Sequence, residues 1–281
     1  MSLTPPGWYP DPYAGPGAVR YWTGAAWTAQ VAVPAALGPA PPRATPPHPT
    51  LPLPVAVGAI LSVGVPLVFS RYVLRALADQ KWPIAVYVAL LAVVAYGPPL
   101  VFWRYASRRW GTGSPRADVG LTGRWADAGW GPLTWLACVG AQLLVGSIVL
   151  ATKIPIQNNT DQIRDARDNP GYVIPMLIVA VIAAPIVEEI VFRGLVQRGL
   201  LSVMHPAVAV GVQAVLFGGA HFDPARGTGN IGLVMVLSGV GAVLGGSSYL
   251  LRRLAPNMIA HAIINSVAMA IVLSGWTPGN N

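Results

Sequence analysis

Charge is what this sequence has least of. Only 10% of its 281 residues are charged, against roughly a quarter in an ordinary soluble domain. Acidic side chains number 10, and lysine appears twice, at Lys81 and Lys153. Hydrophobic residues make up 54% and mean hydropathy is +0.54. Together these exclude a soluble enzyme with a large core and identify an integral membrane protein. The single cysteine, Cys138, excludes an intrachain disulfide and a cysteine-rich zinc site. It lies in an apolar run and reads as a small buried hydrophobe. The first 50 residues lack a basic stretch followed by an apolar one, so no signal peptide is expected. Also missing are a Walker loop, a dinucleotide fingerprint, a serine nucleophile elbow and a soluble-type HExxH. The net charge of +8 is almost wholly arginine, spread over many short loops. That suits contact with an anionic membrane surface. Nucleic acid would need clustered base charge and is not an expected partner.

What is present is a series of apolar runs of about 20 residues, the length that crosses ~30 Å of hydrocarbon. They predict an all-α polytopic membrane protein with about seven transmembrane helices. The expected spans lie near 53–70, 83–103, 131–151, 173–200, 205–222, 231–250 and 256–274, and an eighth has room in the 104–130 connection. Pro98-Pro99 should kink the second span. The 104–130 connection holds five arginines, which places it in the cytoplasm with the N-terminus and Arg252-Arg253. Loop 152–171, with Asp161, Asp165 and Asp168, then falls outside.

Ahead of the spans, residues 1–30 carry Trp8, Tyr9, Tyr13, Tyr21, Trp22 and Trp27 among prolines and glycines that punctuate turns. A short β-hairpin or meander around a minimal aromatic core is expected. Residues 31–51, rich in proline and alanine, read as a semi-extended linker. The domain plan is thus 1–30, a linker at 31–51, and a membrane domain at 52–276.

Two glutamates, Glu188 and Glu189, stand side by side after an unbroken apolar stretch from Val173 to Val187. A carboxylate near the middle of a bilayer costs about 2.5–3.5 kcal/mol on insertion scales, and such residues mark functional sites. Glu189 and Arg193 are i, i+4 with the acid first, the better pairing orientation. That leaves Glu188 to face a different partner. The next apolar segment holds Phe217 and His221; the last holds His261 and Asn265, again i, i+4 and so on one helix face. Polar residues in spans face the bundle interior, so one shared site is expected.

Two chemistries are open to this set. Glu188, His221 and His261 could bind Zn²⁺ as a two-histidine, one-carboxylate site with an open water position. Alternatively, Glu188 could deprotonate a water held by His221, with His261 and Asn265 donating to the oxyanion. One geometric difficulty stands out. His261 lies only a few residues from the 251–255 turn, whereas Glu188 and His221 lie 13 and 16 residues from the 201–205 turn. At ~1.5 Å per residue His261 would be too shallow by roughly 10 Å. A kink, a re-entrant stretch or a sunken turn must close that gap.

EExxxR at 188–193, FxxxH at 217–221 and HxxxN at 261–265, in that order in successive apolar segments, resemble the CAAX-protease and bacteriocin-processing family of membrane proteases. The resemblance covers roughly residues 118–274, with a catalytic core at 173–274. It implies an intramembrane endopeptidase in which Glu188 activates water, Glu189 and Arg193 complete the same motif, and His221 helps hold the water. His261 and Asn265 would stabilise the oxyanion, and a divalent metal such as Zn²⁺ is one option. GWYPDP, RYW and a following Trp-Thr resemble a short Trp-rich domain of unknown function found on membrane proteins of high-GC Gram-positive bacteria, with Thr23 where that pattern has aspartate. Expected partners are membrane lipids and a membrane-associated protein or peptide substrate. A non-proteolytic scaffold or immunity protein is the alternative. A proton-coupled transporter fits less well, since no inverted-repeat halves are visible.

Overall fold

The computed structural model describes residues 4–14, 17–32, 51–157 and 160–275, in two compact units divided after Pro47. Most of the expected linker, from residue 33 to 50, lies outside the described residues.

The N-terminal unit is a three-stranded antiparallel sheet, β1 (Gly7–Pro10), β2 (Val19–Trp22) and β3 (Trp27–Ala32), in the order β1-β2-β3. The expected meander is therefore present. Aromatic edges hold it: Trp8 meets Tyr21 at 5.5 Å and Trp22 meets Trp27 at 5.2 Å between ring centroids. One ion pair ties the strands together. Arg20 Nε donates to Asp11 Oδ1 at 3.0 Å, and Arg20 Nη1 donates to the Thr28 carbonyl at 2.9 Å. The Arg20 hydrogen bond holds the Asp11 carboxyl below the usual carboxylate range, against the opposing effect of burial. A lowered carboxylate pKa stabilises the fold above its unfolded value and loses that contribution as pH falls through the folded value. The sheet is thus expected to loosen only in acid, below about pH 4, and Asp11→Asn is expected to remove that acid transition. Near-UV circular dichroism of the full chain would read both.

The membrane unit is all-helical. Its long elements are α1 (Leu53–Leu77), α2 (Ile84–Trp110), α4 (Asp127–Ala151), α6 (Pro170–Leu200), α8 (Ile231–Leu251) and α9 (Ala255–Leu273). Short helices α3 (Pro115–Val119) and α5 (Asp161–Asp165) lie in connections, and α7 (Pro206–Gly219) is a shorter apolar helix. Among the described residues, six helices are long and apolar enough to cross a membrane. In hydrocarbon each backbone N–H must be satisfied within the chain, which is why such runs become helices. Their outer faces stay apolar: Val101, Leu150 and Leu250 are 70%, 71% and 76% exposed. Lipid, not water, suits such a surface.

Two expectations change here. Residues 104–130 hold no further span; α2 continues to Trp110 and is followed by α3. The expected span at 205–222 is a helix of 14 residues, about 21 Å long and short of the hydrocarbon thickness. It begins beside exposed His205, where Pro206 is pre-set for a first turn. It stops at Gly219, well before a crossing would be complete.

The centre of the unit is the second half of α6. All eight residues from Glu189 to Val196 are buried, enclosed by α1, α3, α7 and α8. Glycines permit the close approaches. A Cβ at Gly199 would meet the Ala56 backbone of α1, one at Gly194 the Val119 side chain of α3, and one at Gly218 the Val234 carbonyl of α8. At one end of the bundle Arg226 pairs with Asp161 at 2.8 Å. At the other, Arg253 Nε donates to Asp127 Oδ1 at 2.6 Å and the Leu254 N–H to the Gly120 carbonyl at 2.9 Å.

Candidate active site

Helix α6 is not a uniform α-helix. The Ala184 N–H reaches back five residues to the Val179 carbonyl, and the Gln197 N–H five residues to Phe192. These are π-type turns, which recur at functional sites. The first has a cause in the sequence. The Ala180 carbonyl would ordinarily receive the Ala184 N–H, now given to Val179. Its next donor in a wide turn would be residue 185, a proline with no N–H. Asn265 supplies what is missing: its Nδ2 donates to the Ala180 carbonyl at 2.7 Å. Asn265 therefore clasps the widened turn of α6 from α9, and one of its two amide hydrogens is committed there.

Glu189 sits just beyond that turn and is 0% exposed. Arg193 Nη1 donates to its Oε1 at 2.9 Å, the expected i, i+4 pair. His261 Nδ1 also lies 3.2 Å from Oε1, and Asn257 Nδ2 donates to Oε2 at 3.2 Å. Arg193 in turn donates to the Gly241 carbonyl at 3.3 Å and lies over the Phe217 ring at 4.3 Å. The ion pair is thus one part of a buried polar network that joins α6, α8 and α9.

Glu188 points elsewhere. Its Oε2 is buried, has no hydrogen-bond partner among the described residues, and lies 3.9 Å from His261 Nε2. Glu188 and His221 line one cavity of about 340 Å³, together with Tyr96 from the Pro98-Pro99 region of α2. His221 follows the end of α7, with Nδ1 2.9 Å from the Phe217 carbonyl. The Phe217 ring lies between the two imidazoles, 5.1 Å from His221 and 5.8 Å from His261.

The depth of His261 is resolved by a sunken turn. Leu254 is 0% exposed and Arg253 8%, because the 115–127 connection covers them. Helix α9 therefore starts inside the protein, and His261 reaches both glutamates.

The hydrogen bonds also decide the state of each neutral imidazole. A carbonyl only accepts, so His221 Nδ1 carries the hydrogen toward Phe217. The Glu189 carboxylate already receives Arg193 and takes the His261 Nδ1 hydrogen in the same way. In its neutral form each ring then presents a bare Nε2. That pattern is also what a zinc-bound histidine shows. Among the described residues, however, no three His, Cys, Asp or Glu side chains gather as a metal-binding group. The set Glu188, His221 and His261 is not assembled as three ligands.

Asn257 and Tyr96 escaped the sequence reading. Asn257 had a signal, since it stands four residues before His261 and extends the stripe that ends at Asn265. Tyr96 had none beyond its place beside the prolines.

Comparison with known proteins bears on this geometry. Residues 6–48 match the family model described as a protein of unknown function (DUF2510), reaching further than the expected 1–30 unit into the proline-rich stretch. Neither the curated proteins nor the solved structures contain a match. Residues 170–267 match the model described as type II CAAX prenyl endopeptidase Rce1-like, a shorter segment than the resemblance at 118–274 but one that contains all three motifs. The membrane unit of this multi-pass protein thus carries, over residues 170–267, a segment similar to the Rce1-like type II CAAX prenyl endopeptidases.

Proposed function

We propose that the membrane unit is an endopeptidase that hydrolyses a peptide bond at or within the membrane, using a water held between Glu188 and His261. The observation that carries this reading is the unpartnered Glu188 Oε2, 3.9 Å from His261 Nε2. Two acceptors at that separation repel unless a donor lies between them, and a water can donate one hydrogen to each. The partly apolar cavity beside them takes the substrate strand.

In this mechanism Glu188 is the general base. It takes one proton as the water oxygen attacks the scissile carbonyl carbon. His261 accepts the second hydrogen and aims the attacking lone pair. Glu189 holds the His261 ring by Nδ1, the role an orienting carboxylate plays in nucleophile–base–orienter sites. The proton on Glu188 then passes to the departing amide nitrogen and the C–N bond breaks. A neutral His261 cannot donate to the oxyanion through a bare Nε2, which shifts that task from the sequence-based assignment. The second amide hydrogen of Asn265 and the Tyr96 hydroxyl, which makes no hydrogen bond among the described residues, are the neutral donors left to supply it.

The substrate in this reading is a membrane-associated protein or peptide, and the N-terminal unit lies in the cytoplasm with the arginine-rich connection. The test compares membrane proteins of cells expressing wild type with those expressing Glu188→Ala at equal levels. Terminal fragments that vanish in the mutant are expected. An identical fragment pattern, with function retained, would favour a scaffold that only binds a partner.

A further inference from the structure

Glu189 has two oxygens, and they are not equivalent. Oε1 receives both Arg193 and His261, at 2.9 and 3.2 Å. Among the described residues Oε2 has a single donor, Asn257 Nδ2, at 3.2 Å. Asn257 is 0% exposed, and its Nδ2 also donates to the Leu244 carbonyl of α8 at 2.6 Å. Both of its amide hydrogens are therefore spent on fixed acceptors. A flipped amide would turn its oxygen toward two acceptors, so the orientation is locked. Asn257 Oδ1 is buried with no partner among the described residues, which marks the side chain as present for its donor end.

The consequence reaches His261. Asn257 and His261 are i, i+4 on α9 and grip the same carboxylate from one helix face. Without a donor on Oε2, that oxygen would be a bare carboxylate atom in an interior closed to water, and the carboxylate would rotate to share its remaining donors. Rotation withdraws Oε1 from His261 Nδ1. The ring would then be free to place its hydrogen on Nε2, where Glu188 can accept it, and the space for a shared water would close.

We propose that Asn257 is a positioning residue: by holding Glu189 Oε2 it keeps His261 as the Nδ1–H tautomer, with Nε2 bare toward Glu188. This deepens the peptidase reading and rests on it for its catalytic meaning. The tautomer itself can be measured without any substrate, so the two ideas fail separately. The full-length protein, labelled with ¹⁵N at histidine and held in lipid nanodiscs, gives imidazole nitrogen signals, and the His261 pair is assigned by its absence from His261→Gln. Wild type is expected to show a single tautomer with Nδ1 protonated and Nε2 bare. Asn257→Leu keeps a similar volume and removes the donor; loss of that single-tautomer signal is expected. Asn257→Ser serves where the leucine variant does not fold, because one hydroxyl hydrogen cannot serve both Leu244 and Glu189, and the same loss is expected. A folded variant of either kind whose His261 signals match wild type would overturn the proposal. So would a wild-type His261 with its hydrogen on Nε2.

Discussion

Arg193→Met is expected to cost about 3–5 kcal/mol of stability, the range seen when one partner of a buried ion pair is removed. Glu189 and Arg193 side chains are both 0% exposed, so the remaining carboxylate has no water to turn to. Arg193 also anchors α6 to the Gly241 carbonyl and covers the Phe217 ring, and methionine would replace neither contact. Arg193→Lys keeps the charge but loses the planar fork that reaches Glu189 and Gly241 together, so it is expected to fall between the two. Pairing Arg193→Met with Glu189→Gln should recover part of the loss, because opposite buried charges then leave together. Thermal unfolding in one detergent or nanodisc preparation ranks all of these variants.

Glu188→Gln should behave in the opposite way. Loss of a positioned general base lowers turnover by roughly 10²–10⁴-fold. The Glu188 Oε2 atom makes no hydrogen bond among the described residues, so glutamine there breaks none of the hydrogen bonds that hold Glu189 in its network. The thermal midpoint is expected to stay within the small range of a substitution that breaks no contact, about 0.5 kcal/mol. Hydrolysis of a fluorogenic membrane peptide identified from the fragment comparison would measure the first effect, and circular dichroism melting the second.

Much of this arrangement was legible in the residues. The only two glutamates of the chain stand in one apolar run, and their cost there pointed to a site. The Glu189–Arg193 pair followed from helix spacing alone. What the spacing could not give was the local departure from the α-helix. Pro185 removes the N–H that a wide turn would offer Ala180, and the site depends on Asn265 filling that place from a distant helix. Periodicity arguments assume a constant turn and miss this. The depth of His261 was illegible for a related reason. Only a tertiary contact, Asp127 and Gly120 drawing Arg253 and Leu254 inward, sinks the turn. The short α7 looked like a span because composition counts apolar residues and does not see where Gly218-Gly219 stops the helix. Asn257 was visible by spacing, yet its meaning needed the second oxygen of Glu189.

In the proposed mechanism the neighbouring glutamates divide their work, Glu188 as reagent and Glu189 as framework. Glu188→Gln and Glu189→Gln set side by side, with melting midpoint and peptide hydrolysis recorded on the same samples, separate the two roles. Glu188→Gln is expected to melt like wild type and to be inactive, while Glu189→Gln is expected to melt well below both, because Arg193 is left buried without its counter-charge. Equal midpoints for the two variants, or hydrolysis that survives in Glu188→Gln, would contradict this division.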